Sequence, residues 1–158
     1  MMRREMWIAG AISLLLAAVG CGPGPVAVDS VELDPEGWHA ADTARLTFSV
    51  DQPEHRHDLQ FGLRHSEDYP YSNLYLFVRL DYPNGRSLTD TLECPLAAPT
   101  GEWYGDGSRW IDQRIGYKRG VGFPLPGEYT LQVVHAMRQD PLPGMAEVRF
   151  ALFDREVE

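Results

Sequence analysis

The chain has 158 residues, with 14 basic against 23 acidic side chains, a formal net charge of −9 at pH 7, and two cysteines. This acidic excess argues against nucleic acid, whose binders cluster Lys and Arg to displace counterions, and against electrostatic adhesion to anionic lipid. The length suits one domain whose core needs no staples.

The N-terminus reads MMRREMWIAGAISLLLAAVGC. Arg3 and Arg4 form a positive flank, Trp7 to Val19 is apolar apart from Gly10 and Ser13, and small residues lead into Cys21. This is a secretory signal peptide over residues 1–20. As a helix the apolar run would reach about 20 Å, short of the roughly 30 Å hydrocarbon core that a spanning helix must cross. A small residue followed by cysteine at this point is the bacterial lipoprotein pattern, in which Cys21 takes a diacylglycerol, becomes the new N-terminus and is acylated on its amine. Ordinary signal cleavage is the alternative. Two or three acyl chains hold a protein on its membrane where one holds it only reversibly. Removing residues 1–20 takes away Arg3, Arg4 and Glu5, so the charge moves from −9 to −10. Gly22, Pro23, Gly24 and Pro25 then form a tether that suits neither helix nor central strand, and residues 26–158 form the domain. Cys94 is left as a lone thiol, expected to be buried and inert.

Along the domain, short β-rich runs recur between turn signals. In ARLTFSV (44–50), Leu46, Phe48 and Val50 alternate with polar neighbours, the mark of a strand with one wet face. DLQFGLRH (58–65) repeats the pattern with Leu59, Phe61 and Leu63. NLYLFVRLDY (73–82) is apolar on both faces, which predicts a central strand covered on both sides. Pro70 disfavours helix at Tyr69, and Asn73 is expected to bond local backbone where the strand starts. Asn84-Gly85 is a strong hairpin signal, and SLTDTLEC (87–94) returns with Leu88 and Leu92 on one face. The glycine-rich, aromatic stretch 101–120 reads as a long loop with one or two short strands. EYTLQVVHAM (128–137) places Tyr129, Leu131, Val133 and His135 on one face, and Tyr129, just after Pro126-Gly127, reads as a clamp whose hydroxyl bonds a neighbouring loop. A proline-rich turn at 139–144 precedes a last strand with Val148, Phe150 and Leu152 on one face. Together these predict an antiparallel β-sandwich of about eight strands, jelly-roll or immunoglobulin-like.

No motif declares a chemistry. His55 and His57 stand two apart but lack a third ligand at a metal-site spacing, so a solvated turn is expected. YGDGSRW (104–110) lacks the Lys and Ser/Thr of a phosphate cradle and reads as a flexible connector. Gly-x-Ser-x-Gly is absent, and Cys94 precedes a proline with no base signature beside it. No catalytic residue, metal site or cofactor is assigned. Trp103, Tyr104 and Trp110 have the chemistry to stack on sugar rings, or to plug the open end of a sandwich.

Several segments in this order resemble the gliding-motility-associated lipoprotein family GldH. They are a lipoprotein cysteine, FGLRHSEDYPYSNLYLFV, a hairpin with DTLECPLA, GEWYGDG, and GEYTLQVVHAMRQDPLPGMAEV. The resemblance implies a noncatalytic accessory or assembly subunit of gliding motility and type IX secretion, associated with other envelope lipoproteins at the outer membrane. The tether lacks the acidic stretch that commonly marks surface export in that phylum, which implies a periplasmic face. The family transfers no active-site residue. The expected partner contacts therefore come from the residues themselves: Met137, Arg138 and Leu142 in a proline-stiffened turn, with Trp103, Tyr104 and Trp110 in the aromatic loop. A carbohydrate-binding envelope lipoprotein using those three aromatics is the alternative.

Overall fold

Alternation with a period of two accounts for nearly every strand. The computed structural model describes residues 22–155; the expected signal peptide and acylated Cys21 lie outside the described residues. Nine strands follow in chain order: β1 (Ala27–Glu32), β2 (Ala44–Val50), β3 (Arg56–Ser66), β4 (Asn73–Asp81), β5 (Ser87–Pro95), β6 (Asp106–Gly107), β7 (Trp110–Gly122), β8 (Gly127–His135) and β9 (Met145–Arg155). There is no helix among the described residues. One sheet has the order β1-β9-β3-β7-β6 and the other β2-β8-β4-β5, and every pairing is antiparallel. With the two-residue β6 set aside, the chain passes between two four-stranded sheets in the connectivity of a jelly roll.

In β2, Ala44, Leu46, Phe48 and Val50 are buried while the residues between them are exposed. Tyr129, Leu131, Val133 and His135 of β8 and Val148, Phe150 and Leu152 of β9 are buried in the same way. The inner faces meet where Phe48 stacks on Tyr129 at 5.5 Å and touches Phe150 at 4.9 Å. Such aromatic pairs contribute about 0.5–1.5 kcal/mol each beyond burial. The sides of the sandwich are stitched by polar contacts: the Thr47 N–H on edge strand β2 donates to Asp29 at 2.7 Å, and Lys118 meets Asp90 of edge strand β5 at 3.0 Å. Edges satisfied in this way are poorer templates for another strand.

The β4–β5 hairpin turns at Asn84-Gly85 as the sequence predicts. Its loop has three residues between Tyr82 and Arg86, closed by the Tyr82 N–H to Arg86 carbonyl bond at 2.8 Å, and Gly85 takes φ 82°. A glycine with positive φ at that place is what this loop length requires. The Tyr129 hydroxyl donates to the Leu125 carbonyl at 2.8 Å and accepts the Leu125 N–H at 3.3 Å, which is the expected clamp. Cys94 is fully buried, and desolvation pushes its thiol up to about 12.

Three expectations about the strands differ from the structure. The stretch read as a long loop with one or two short strands contains instead most of β7, whose 13 residues make it the longest strand described; Ile111 and Ile115 face inward, but Gly116, Gly120 and Gly122 mask the pattern. β3 departs from simple register opposite it, with shifts around Leu59. β4 is central in its hydrogen-bond ladder but covered on one side only, leaving Tyr75 37 % and Phe77 48 % exposed. Asn73 donates across the ladder to Glu93 at 3.1 Å rather than to local backbone. Leu88 and Leu92 do share one face of β5, opposite the buried Leu80 and Leu76, with Leu88 exposed at the strand's end and Leu92 half-buried. β1 carried no strand expectation, since AVDSVE alternates weakly; pairing with β9 makes it a strand.

Tyr129→Phe should lower stability by about 1–3 kcal/mol, because it strands a partly buried carbonyl while keeping the ring. A lower urea midpoint at constant slope would show this; an unchanged midpoint would remove the clamp from the account. Native Cys94 should resist maleimide at pH 7.5 and react on unfolding, as measured by mass spectrometry.

Candidate interaction surface

The chain enters the sandwich where the Val26 N–H bonds the Leu152 carbonyl. The connections 51–55, 82–86 and 123–126 lie at this proximal end, and those at 33–43, 67–72, 96–109 and 136–144 lie at the distal end. All six residues expected to meet a partner therefore lie at or beside the end away from the tether.

Trp38, to which the sequence reading assigned no role, organises that end. It is buried and exchanges two backbone hydrogen bonds with Leu142, at 2.9 and 2.8 Å. Its indole N–H donates to the Asp42 carbonyl at 2.7 Å, and His135 packs edge-on at 5.3 Å. Asp140 accepts the Ala40 N–H at 2.9 Å, the Tyr71 hydroxyl donates to Gln139 at 2.6 Å, and the Met137 sulfur accepts the Tyr75 N–H at 3.3 Å. Gly37, at φ 138°, leaves room for Pro141, whose Cβ is 2.9 Å from where a Gly37 side chain would begin. Loop 136–144 is thus tied to three other segments, and presenting it costs little ordering entropy.

On this loop Arg138 is exposed and makes no ion pair among the described residues, and Met137 is half-buried. Leu142 is fully buried, which corrects its expected role: it anchors the loop from inside and is not a surface contact. Trp103 is half-buried, bridges Ala97 through its backbone and meets His65 at 4.6 Å, so it plugs the distal end. Tyr104 and Trp110 are 55 % and 44 % exposed. The stretch between them is no flexible connector: β6 pairs with β7, and a Cβ on Gly107 would lie 1.9 Å from the Trp110 carbonyl.

The six do not form one patch. Met137 leads onto the outer face of the β2-β8-β4-β5 sheet, whereas Trp110 lies on β7 of the other sheet, in the row next to Arg64 and Asp112. Beside Met137 the first sheet exposes Tyr75 and Phe77, with Val134 paired to Phe77. Arg79 and Gln132 both bond Asp81 at the rim, and the Arg79 contact foremost holds that carboxyl below its ordinary range. Reading both faces of β4 as buried hid this patch. The signal that would have found it is the polar outer row of the neighbouring strands, Thr91 and Gln132 included.

On the opposite face Asp112 receives Arg64 at 3.0 Å and also Arg149, which forms an ion pair with Glu147 at 3.0 Å; the Arg64 contact foremost holds the Asp112 carboxyl low. His57 is buried against Phe123 and His55 bonds Asp154 at 2.7 Å, so the pair is not a solvated turn. No group of His, Cys, Asp and Glu among the described residues is arranged to hold a metal ion.

The described residues thus make an all-β jelly-roll sandwich with a braced loop end and an exposed aromatic face. The chain belongs to the GldH lipoprotein family, whose model matches residues 26–152. It is 31% identical over 125 residues to a gliding motility lipoprotein GldH homolog of Christiangramia forsetii, covering 73% of this chain and 76% of that one. To the gliding motility lipoprotein GldH of Flavobacterium johnsoniae it is 29% identical over 154 residues, covering 90% and 95%. Among solved structures it is similar to Xyl-CBM35, solved in complex with a glucuronic acid containing disaccharide, at 14% identity and TM-score 0.40, over 88% of this chain and 96% of that one. CBM35 from Cellvibrio japonicus Abf62 is similar at 14% identity and TM-score 0.37, with the same coverage. At these values neither likeness bears on what this chain binds.

Burial lowers the pKa of His57 and of His65, so both stay neutral in the fold at pH values where the unfolded chain protonates them. Stability should therefore fall as pH drops below about 6.5, until the folded histidines protonate in turn. His65 donates through Nδ1 to the Ser66 carbonyl at 2.9 Å, a bond that Asn can supply. Denaturant midpoints at pH 7.5 and 5.5 should differ less in His65→Asn than in the wild type.

Proposed function

We propose that this protein is a lipid-anchored, noncatalytic accessory or assembly subunit of the gliding motility and type IX secretion machinery. Cys21 carries the acyl chains, the outer membrane holds them, and the domain faces the periplasm, where it docks other envelope lipoproteins. Membership of the GldH lipoprotein family is the observation that carries this reading, together with relatives named as gliding motility lipoproteins. The geometry supports it with a stiff loop bearing Arg138 beside the exposed Tyr75 and Phe77. Aromatic and Arg side chains on a rigid support are the usual energetic centre of a protein interface.

The anchor and the contact surface have separable consequences. In a crosslinked pull-down from native membranes, the wild type should enrich motility or secretion lipoproteins, and Cys21→Ala should lose most of that enrichment. Arg138→Glu and Phe77→Ser should each weaken capture about tenfold, as removal of an interface anchor worth about 1.4 kcal/mol would, while leaving anchoring and the urea midpoint unchanged. An anchored, abundant wild type that enriches no envelope protein would sink the assembly reading.

A further inference from the structure

The outer face of the β1-β9-β3-β7 sheet contains a hollow that the assembly reading does not use. Register sets its layout: Arg149, Gly62 and Arg114 stand in one row across β9, β3 and β7, and Ala151, Gln60 and Gly116 in the next. Glycine and alanine in the middle of a sheet face leave it low; the Arg149 stem leans over Gly62, its Cδ 3.7 Å from where a Gly62 Cβ would lie, and Arg114 stands on the other side. The open space is about 440 Å³, lined by Ser30, Gln60, Gly62, Arg114, Arg149 and Ala151 among others. Small-ligand sites span about 300–1,000 Å³.

The two guanidiniums differ in how they are held. Arg149 donates through Nη2 to Asp112, and its Nε lies 3.0 Å from a Glu147 carboxylate oxygen in an ion pair, so the guanidinium is held from two sides while Nη1 takes part in neither contact. Arg114 is exposed and makes no ion pair among the described residues. Asp29 lines the margin, but its carboxylate is turned to the N–H groups of Thr47 at 2.7 Å and Ser30 at 2.9 Å. Acids flank the hollow on both sides: Asp112, Glu147, Glu32 and Asp106 in the row beyond Arg149 and Arg114, and Asp58 in the row beyond Gln60, where it accepts the Gly120 N–H at 2.7 Å and faces Arg155 at 3.7 Å. Within the hollow's own lining Arg114 thus carries a charge with no ion pair among the described residues, while Asp29 is turned to backbone N–H groups.

We propose that this hollow binds a saccharide carrying a carboxylate, the carboxylate lying between Arg114 and Arg149. Guanidinium forks match carboxylate geometry, often with two parallel bonds. The low floor accepts the face of a pyranose ring, and the Gln60 amide and Ser30 hydroxyl reach its hydroxyls. A peptide side chain would find no deep slot here. Arg114 also borders a neighbouring hollow that includes Tyr104 and Asp106, whereas Trp110, two rows away on β7, and the Arg138 loop do not line the site.

The test is isothermal titration of the full chain in an uncharged detergent with oligogalacturonate and with its methyl ester, which removes only the charge. The acid form should bind and the ester should bind at least tenfold more weakly. Arg114→Gln should cost roughly tenfold, the usual scale for a hydrogen bond to a charged group. Gly62→Val should abolish binding, because a Cβ there already lies 3.3 Å from the Arg149 Cβ. Trp110→Ala should bind like the wild type. The Arg114 side chain makes no ion pair or hydrogen bond among the described residues, so its variant should keep the wild-type urea midpoint. Absence of binding at millimolar oligogalacturonate, equal binding of the ester, or a normal Arg114→Gln would overturn the proposal. So would loss in Trp110→Ala equal to that in Arg114→Gln, or equal competition by polyglutamate.

Discussion

Phe48 lies between Tyr129 of its own sheet and Phe150 of the other, and the rest of the molecule is arranged around that contact. It sets the two sheets face to face, and Phe123 closes the cluster against Tyr129 at 4.9 Å. A two-layer sandwich buries one face of each sheet. Side chains at odd and even positions of a strand therefore lead different lives: one set makes the core, the other is free to meet something else.

That division explains where functional residues lie. The inner rows are almost wholly apolar, and the buried histidines 57, 65 and 135 enter at strand ends, where the core meets the loops. The outer rows carry Tyr75 and Phe77 on one sheet, and Arg64, Arg114 and Arg149 with Asp112 on the other. The distal loops, braced by Trp38 and Leu142, join the two. A lipoprotein tethered at its proximal end would present three chemically different surfaces: an aromatic face, a guanidinium-lined hollow and a stiff loop with a free arginine.

Much of the core was legible because burial on one face imposes alternation. Leu46, Phe48 and Val50, or Tyr129, Leu131 and Val133, need no coordinates to be placed. β7 was hidden because its glycines carry no hydropathic signal, and β1 because its alternation is weak; both are strands through pairing with β3 and β9. Phe77 was misplaced because an exposed aromatic and a buried one look alike in a sequence. Leu142 was misread because a proline-rich turn suggests a surface, whereas its side chain packs beneath the loop.

By itself the sequence determined the β-class, the in-facing residues of the long strands, the hairpin at Asn84-Gly85, the Tyr129 clamp and the resemblance to the lipoprotein family. These depend on neighbours in the chain or on a period of two, which sterics and the hydrophobic effect impose locally. The tertiary structure alone decided which strands adjoin, and therefore that Arg114 and Arg149, 35 positions apart, flank one glycine. It also decided that Trp38 holds Leu142 and that the outer side of β4 lies open. Register and sheet order come from the simultaneous packing of both layers, and no short window of sequence contains that information.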